Sequence, residues 1–154
     1  MNEDNGFTLI EVLIAVVILA VGMLGLAGLQ ATGLRNNQSA YYRSQAAQLA
    51  YDIADRMRAN SSTSNNYLTS FMAPADATTQ ADCEAVSTTC STADMAENDL
   101  FEWNTVLTET LPNGTGVITL AGNVFTVTVS WTENRDDDND NASDISSFQT
   151  SFEL

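Results

Sequence analysis

The sequence contains no histidine and no lysine, so arginine supplies all of its basic side chains. Histidine is the usual general base of Ser/His/Asp and Cys/His sites and the commonest zinc ligand, so its absence disfavours most hydrolase mechanisms. Residues 61–154 carry fifteen acidic side chains against Arg135 alone, within a formal net charge of −15 for the whole chain. A surface this negative repels phosphate backbones and anionic headgroups, so we expect this half to bind neither nucleic acid nor a membrane surface directly.

Proline is also scarce, and the first of the two prolines is Pro74. No proline therefore interrupts a helix in the first 73 residues. The 23 positions of residues 7–29 are mostly apolar, and Glu11 is their one charged residue. As a helix this segment reaches roughly 35 Å, enough to cross a hydrocarbon core of about 30 Å. We predict a membrane-spanning helix over residues 7–29; the alternative is a removable signal peptide, whose apolar region is shorter and ends in a small-residue cleavage site.

The helical pattern continues beyond the apolar run. Apolar side chains recur at steps of three or four residues over Tyr42, Ala46, Leu49, Ile53 and Met57. Polar side chains fall largely elsewhere, and Asp52 with Arg56 has the i, i+4 spacing of a favourable ion pair. The pattern predicts an amphipathic helix half over residues 30–58, with its apolar face packed against other parts of the protein.

Residues 59–98 are predicted to form a long, variable surface connection without a sustained period, in which Cys83 and Cys90 have six residues between them. This spacing is not typical of a metal site, and no histidine is present to complete one. A disulfide outside the cytoplasm is therefore the preferred interpretation, with free thiols as the alternative.

A short helix follows, with Asp94 or Asn98 as its predicted cap. Its apolar face is formed by Leu100, Trp103, Leu107 and Leu111. Glu102 and Glu109 lie seven residues apart, a spacing that could place two carboxylates on one side of a helix. Solvated acids on a helix surface are far commoner than a catalytic pair, so we predict that the protein is not an enzyme and needs no cofactor.

Alternating polar and apolar residues end the chain. Residues 115–120 and 124–132 are predicted strands joined by a turn at 121–123, and residues 148–154 are a third strand. The sheet needs a cover, which the apolar face of the long helix can supply. We predict an α+β fold: a long N-terminal helix packed on a small antiparallel sheet, with residues 99–154 forming the last helix and the sheet.

The acidic segment before the last strand invites a metal hypothesis. Alternate positions are occupied by Asp136, Asp138 and Asp140, and hard cations such as Ca²⁺ take several carboxylate oxygens. The pattern is incomplete, because Asn141 and Ser147 stand where a calcium-binding loop needs glycine and a bidentate glutamate. A solvated charge run is the default interpretation, and these aspartates remain a weak metal candidate.

The segment Gly6-Phe7-Thr8-Leu9-Ile10-Glu11 resembles the processing motif of the type IV prepilin family, which includes the type II secretion pseudopilins. The resemblance implies that residues 1–6 are a leader peptide, that a prepilin peptidase cleaves after Gly6, and that Phe7 becomes an N-methylated first residue. Residues 34–41 and 49–60 look like the PilV group of minor pilins, the type IV pilus modification proteins.

Glu11 is the predicted assembly residue. A charged side chain in a spanning helix costs roughly 2.5 to 3.5 kcal/mol near its centre, so it normally has a partner. Phe7 lies one helical turn away, so the carboxylate can meet an α-ammonium. In the prepilin family that ammonium belongs to a neighbouring subunit. The alternative is a glutamate tolerated near the headgroups by snorkelling.

The resemblance implies a non-catalytic filament subunit that contributes to pilus assembly, twitching motility or adhesion. Its expected partners are other major and minor pilins, bound through the N-terminal helix, the prepilin peptidase and the inner-membrane assembly machinery. Arg35 and Arg43 beyond the span would by a positive-flank count place the large domain in the cytoplasm. The processing motif and the cysteine pair instead favour a single-pass inner-membrane protein with residues 30–154 in the periplasm. Alternatives are a type II secretion minor pseudopilin and a membrane-tethered ligand-binding domain that does not polymerise.

Overall fold

The computed structural model describes residues 8–84, 89–133 and 144–154. Its elements in chain order are helix α1 (Leu9–Ala59), two 3-10 helices (Ser61–Tyr67 and Pro74–Asp76), helices α2 (Ala81–Glu84) and α3 (Thr92–Thr110), and strands β1 (Thr115–Ala121), β2 (Val124–Glu133) and β3 (Asp144–Glu153). The strands form one antiparallel sheet in the order β1-β2-β3. The predicted α+β class, with a long N-terminal helix and a small antiparallel sheet, is confirmed.

The chain divides into two compact units, the first ending at Ala40 and the second running from Tyr41 to Leu154. In the first unit, the described residues from Leu9 onward are helical. Their large apolar side chains are exposed, Leu9 by 79% and Leu24 by 73%. A helix that is apolar on all sides is stable only in an apolar environment such as a bilayer or a helix bundle.

The core of the second unit is built by the C-terminal part of α1, by α3 and by one face of the sheet. The predicted apolar stripe of α1 is confirmed, because Ala46, Leu49, Ile53 and Met57 are buried and Tyr42 is partly buried against the core. Strand β2 alternates as predicted and buries Phe125, Val127, Val129 and Trp131. The α3 side chains Leu100, Trp103 and Leu107 complete this core. Trp103 joins two elements directly, since its Nε1 donates to the carbonyl of Leu49 at 2.9 Å.

The start of α3 differs from the sequence prediction. Ser91 is the N-cap, and neither Asp94 nor Asn98 takes that position. The backbone N–H of Asp94 donates to Ser91 Oγ at 3.2 Å, while Asp94 Oδ2 accepts from the Ser91 N–H at 3.3 Å. This reciprocal capping box satisfies two backbone donors at once and begins the helix at Thr92. Asp94 is therefore the third residue of the helix.

The connection between α1 and α3 is more ordered than its composition indicates. Two 3-10 helices and α2 lie within the predicted loop. Tyr67 at the end of the first 3-10 helix is fully buried. The sequence prediction missed these elements because each is too short to show a period.

The β1–β2 connection agrees with the predicted turn. Gly122 has a φ of 63°, a left-handed backbone conformation that glycine adopts without strain. The two predicted strands are confirmed and extend one residue further each, to Ala121 and Glu133.

Candidate functional site

The start of α1 places Glu11 in the first helical turn. The Thr8 carbonyl accepts hydrogen bonds from the N–H groups of Glu11 at 3.1 Å and Val12 at 3.3 Å. The Thr8 side-chain oxygen also accepts from the Glu11 N–H at 3.3 Å. Thr8 is therefore an N-cap that the sequence analysis missed, although the Thr-x-x-Glu spacing is a capping-box signal that could have revealed it.

This geometry gives Glu11 a local electrostatic role besides its predicted assembly role. A carboxylate in the first turn is stabilised by the positive end of the helix dipole. The Glu11 side chain is exposed in the isolated chain. Gly6 and Phe7, the predicted processing residues, lie outside the described residues.

The first unit presents a continuous apolar surface. Within the described residues, α1 is the one helix long and apolar enough to cross a membrane; the mean hydropathy of its most apolar 18-residue window is 2.8. None of that window is buried inside the protein. A surface of this kind requires an apolar environment, such as lipid or a bundle of apolar helices.

The C-terminal end of α1 is tied to α3 by Arg56. Its Nη1 donates to Asp99 Oδ1 at 3.0 Å and to Glu102 Oε2 at 2.6 Å. Its Nε donates to Asp52 Oδ2 at 3.0 Å, which confirms the predicted i, i+4 pair. Burial alone would lower the pKa of Arg56, but the hydrogen bonds to Glu102 and Asp99 outweigh it and raise that pKa above its ordinary value.

Tyr67 extends this network into the core. Its hydroxyl donates to Asp99 Oδ2 at 2.5 Å and accepts from Asn60 Nδ2 at 3.2 Å. Asn60 Nδ2 also donates to the carbonyl of Thr92 at 2.7 Å, at the start of α3. Burial, and then the hydrogen bond to Asp99, raise the pKa of Tyr67 above its ordinary value. The polar network, Arg56, Asp52, Asn60, Tyr67, Asp99 and Glu102, therefore fixes the end of α1 against α3.

Glu102 belongs to this network. Its second carboxylate oxygen accepts from Asn98 Nδ2 at 3.2 Å, so both oxygens bind groups of the same domain. This arrangement assigns the Glu102 carboxylate to packing between α1 and α3, and it gives no support to a catalytic pair with Glu109.

The structure joins Cys83 and Cys90 in a disulfide, so the predicted bond is confirmed, whereas its location outside the cytoplasm stays a prediction. The bond closes a short loop immediately before Ser91, the N-cap of α3. A surface cavity of about 330 Å³ lies beside it, lined by Cys90, Met95, Arg56, Asn60 and Asp99 among others. Within this lining Arg56 donates to Asp99, and the side chain of Asn60 is linked to Asp99 through the hydroxyl of Tyr67.

The structure does not test the metal hypothesis, because Asp136, Asp138 and Asp140 lie outside the described residues. Within residues 8–84, 89–133 and 144–154, no three or more His, Cys, Asp or Glu side chains form a group that could hold a metal ion.

Comparison with known families gives two adjacent matches. Residues 1–27 match the prokaryotic N-terminal methylation motif, and residues 28–101 match the Tt1218-like family, described as type IV pilin Tt1218. A search of curated proteins and a search of solved structures found no match.

The two matches agree with the structure. The methylation motif covers Gly6, Phe7 and Glu11 and the exposed apolar part of α1. The pilin match covers the rest of α1, the disulfide and the first half of α3. From the consecutive matches over residues 1–101, and from the long helix with a small antiparallel sheet, we conclude that the chain belongs to the type IV pilin-like family.

Proposed function

We propose that this pilin-type subunit is a minor type IV pilin, which contributes to pilus assembly or initiation and thereby to twitching motility or adhesion. The observation that carries the proposal is the uncovered apolar part of α1, most of which lies within the match to the methylation motif. The likeness of residues 34–41 and 49–60 to the PilV group supports the minor-pilin assignment. In this proposal the subunit has a structural role and no catalytic one.

In this proposal, processing of the N-terminus precedes transfer of the subunit to a filament. The peptidase removes residues 1–6, and Phe7 becomes the methylated first residue of the mature protein. Residues 7–29 hold the subunit in the inner membrane, with residues 30–154 in the periplasm, until the assembly machinery transfers it to a filament. There the apolar helix exchanges lipid contacts for contacts with the helices of other major and minor pilins.

In this proposal Glu11 determines the register in which the helix packs against its neighbours in the filament. Glu11 is four positions after residue 7 in the sequence, and in this proposal the α-ammonium of a neighbouring subunit is the partner that removes the cost of its charge in an apolar bundle. The hydrogen bond from the Glu11 N–H to the Thr8 side chain caps the helix and so keeps Glu11 in its first turn.

The intact mass and first residue of the protein recovered from cells test the processing step. We expect a chain that begins at N-methylated Phe7, found in both the membrane fraction and the sheared pilus fraction. A membrane-tethered domain that does not polymerise would be absent from the pilus fraction. Recovery of a mature protein that still begins at Met1 would refute the proposal.

The variant Glu11→Gln tests the assembly step. It keeps the size of the side chain but removes the charge, so we expect the fraction of the protein in pili to fall about tenfold or more, as for the loss of a charged hydrogen bond. The matched control is Glu109→Gln, which removes one acidic charge from the exposed surface of α3. Equal incorporation of both variants would exclude Glu11 as the assembly residue.

A deletion strain distinguishes the filament systems. Loss of pili or of twitching supports the type IV pilus, whereas loss of protein export with normal pili would assign the chain to a type II secretion pseudopilus.

A further inference from the structure

The two edge strands of the sheet, β1 and β3, differ in whether their outward backbone groups are hydrogen-bonded. On the β1 edge, the N–H of Thr69 donates to the carbonyl of Ile118 at 3.0 Å. The N–H of Ile118 in turn donates to Thr69 Oγ1 at 3.0 Å. Both backbone groups of Ile118 are thus satisfied by the preceding connection. The middle of the β1 edge is closed to another strand.

The register determines which backbone groups of β3 face outward. Ile118 is opposite Val127, which is opposite Thr150. Because Ile118 directs its groups away from β2, antiparallel alternation directs the groups of Val127 toward Thr150. Thr150 therefore bonds β2, and its neighbours along the strand point their N–H and C=O groups to the outer edge. By the same alternation, the outward residues are Ile145, Ser147, Gln149, Ser151 and Glu153.

This outer edge has none of the usual protective features in its interior. In the described part of the chain β3 pairs with β2 alone. Residues 145–152 contain no charge, no proline and no glycine. Natural edge strands are normally short or interrupted by charges, prolines or bulges, because unpaired backbone groups attract other strands. A regular edge of this length, in a strand of ten residues, is therefore a candidate binding surface.

We propose that β3 is a strand-addition edge, at which an extended segment of a different filament subunit pairs with residues 145–153. The proposal rests on the function proposed above and specifies a partner for the folded domain. Main-chain hydrogen bonds would supply affinity, as in other cases of strand addition.

Charge identifies the kind of partner. The uncharged stretch is bounded by Asp144 and Glu153. A second copy would bring together two domains that each carry fifteen acidic side chains against Arg135 alone in residues 61–154, and this like charge disfavours pairing between copies. Asp144 also has a buried carboxylate oxygen, Oδ2, without a hydrogen-bond partner in the described residues. The fitting segment is uncharged along its centre, carries Lys or Arg where it meets Asp144, and comes from a less acidic subunit.

Proline substitution can separate the outer edge from the β2–β3 ladder. Ser147 is exposed and its N–H faces outward, so Ser147→Pro removes a donor that the fold does not use. We expect this variant to keep its methylated N-terminus and its melting temperature, but to be incorporated into pili about tenfold less. Ser147→Ala keeps the N–H and should behave as the wild type.

Ser146→Pro is the control for strand orientation. The N–H of Ser146 faces β2, so this variant should lower the melting temperature. If Ser147→Pro is destabilised as much as Ser146→Pro, the deduced orientation is wrong and the proposal is overturned. Normal incorporation of a stable Ser147→Pro variant overturns it equally. Because the Glu11→Gln variant tests filament membership separately, failure of the edge proposal can be distinguished from failure of the proposed function.

Photo-crosslinking identifies the partner directly. A benzoylphenylalanine placed at Ser151, in cells that make pili, should give an adduct with a different pilus subunit whose linked peptide contains a basic residue. The matched position is Thr119, which is exposed on the same sheet in β1, beside the closed edge. An adduct between two copies of this chain, or no adduct specific to Ser151, would refute the proposed partner.

Discussion

Gly116 provides the sharpest test of how the second unit is packed. A Cβ atom added at Gly116 would lie 2.3 Å from Cη2 and 2.4 Å from Cζ3 of Trp103, and 2.9 Å from Cδ1 of Leu107. The Trp103 ring cannot move aside freely, because it is 1% exposed and its Nε1 is bonded to the Leu49 carbonyl. Gly116→Ala should therefore force strand and helix apart, at a cost of about 2 to 3 kcal/mol. For a domain of roughly 110 residues this lowers the melting temperature by about 10 °C.

A double-mutant cycle assigns this cost to the tryptophan. Phenylalanine lacks the distal ring atoms that the new Cβ would meet, so in a Trp103→Phe background Gly116→Ala should cost less than about 1 kcal/mol. The control is Gly122→Ala, which meets no atom within 4 Å but has a positive φ, and which should cost about 1 kcal/mol. Thermal unfolding of the full-length protein in detergent can be followed by near-UV circular dichroism, and Trp131 remains as the reporter in the Trp103→Phe variant.

Two results would refute this packing argument. One is a Gly116→Ala variant with the same melting temperature as the wild type, which would mean that the strand shifts without a cost in stability. The other is an equal cost of Gly116→Ala in both backgrounds, which would mean that Trp103 is not the obstacle.

Three further predictions concern the contacts around α3. Tyr67 has a raised pKa in the folded state, so its contribution to stability is complete below about pH 10, the unfolded value, and is lost as the pH rises toward the folded value. Tyr67→Phe should therefore flatten the fall in melting temperature between pH 9 and pH 11, measured in matched buffers. Reduction of the Cys83–Cys90 disulfide, or a double serine variant, should destabilise the domain by about 2 to 3 kcal/mol, measured by melting with and without reductant. Ser91→Ala should cost about 1 kcal/mol in urea unfolding, whereas Ser91→Asp should retain the cap.

Each of these predictions has a contrary result. If the melting temperature of Tyr67→Phe falls as steeply at alkaline pH as that of the wild type, the group responsible for the fall is not Tyr67. Melting curves unchanged by reductant would show that the Cys83–Cys90 bond does not stabilise the domain. An Ser91→Asp variant as unstable as Ser91→Ala would indicate that the serine acts through packing rather than through the capping hydrogen bond.

The parts of the fold that follow from local periodicity were predictable from the sequence. The strand from Val124 to Glu133 has side chains that alternate strictly between core and solvent, and this period of two is visible in the residues themselves. The long helix was predictable because no proline occurs in the first 73 residues and because the apolar stripe continues to Met57. The disulfide followed from the spacing of Cys83 and Cys90 and the absence of histidine.

The polar network could not be predicted, because its partners are distant along the chain. The sequence shows the local pair of Asp52 and Arg56. The contacts of Arg56 with Asp99 and Glu102 span 43 and 46 residues and exist only after α3 packs on α1. The caps at Thr8 and Ser91 are different, since both show a hydroxyl residue three positions before an acid. Periodicity drew attention to Asp94 and Asn98 instead, although the local capping signal was present.

Packing around Trp103 also determines how the edge experiment must be interpreted. The side chain of Trp103 contacts the Leu49 carbonyl of α1 and limits the space at Gly116 of β1. Because β1 pairs with β2 and β2 with β3, any change that displaces β1 also displaces the outer edge. A loss of pilus incorporation identifies the edge only when the core is intact. A stable Ser147→Pro variant that fails to enter pili meets this condition, whereas Gly116→Ala would lower incorporation through unfolding and should do so in proportion to its lower melting temperature.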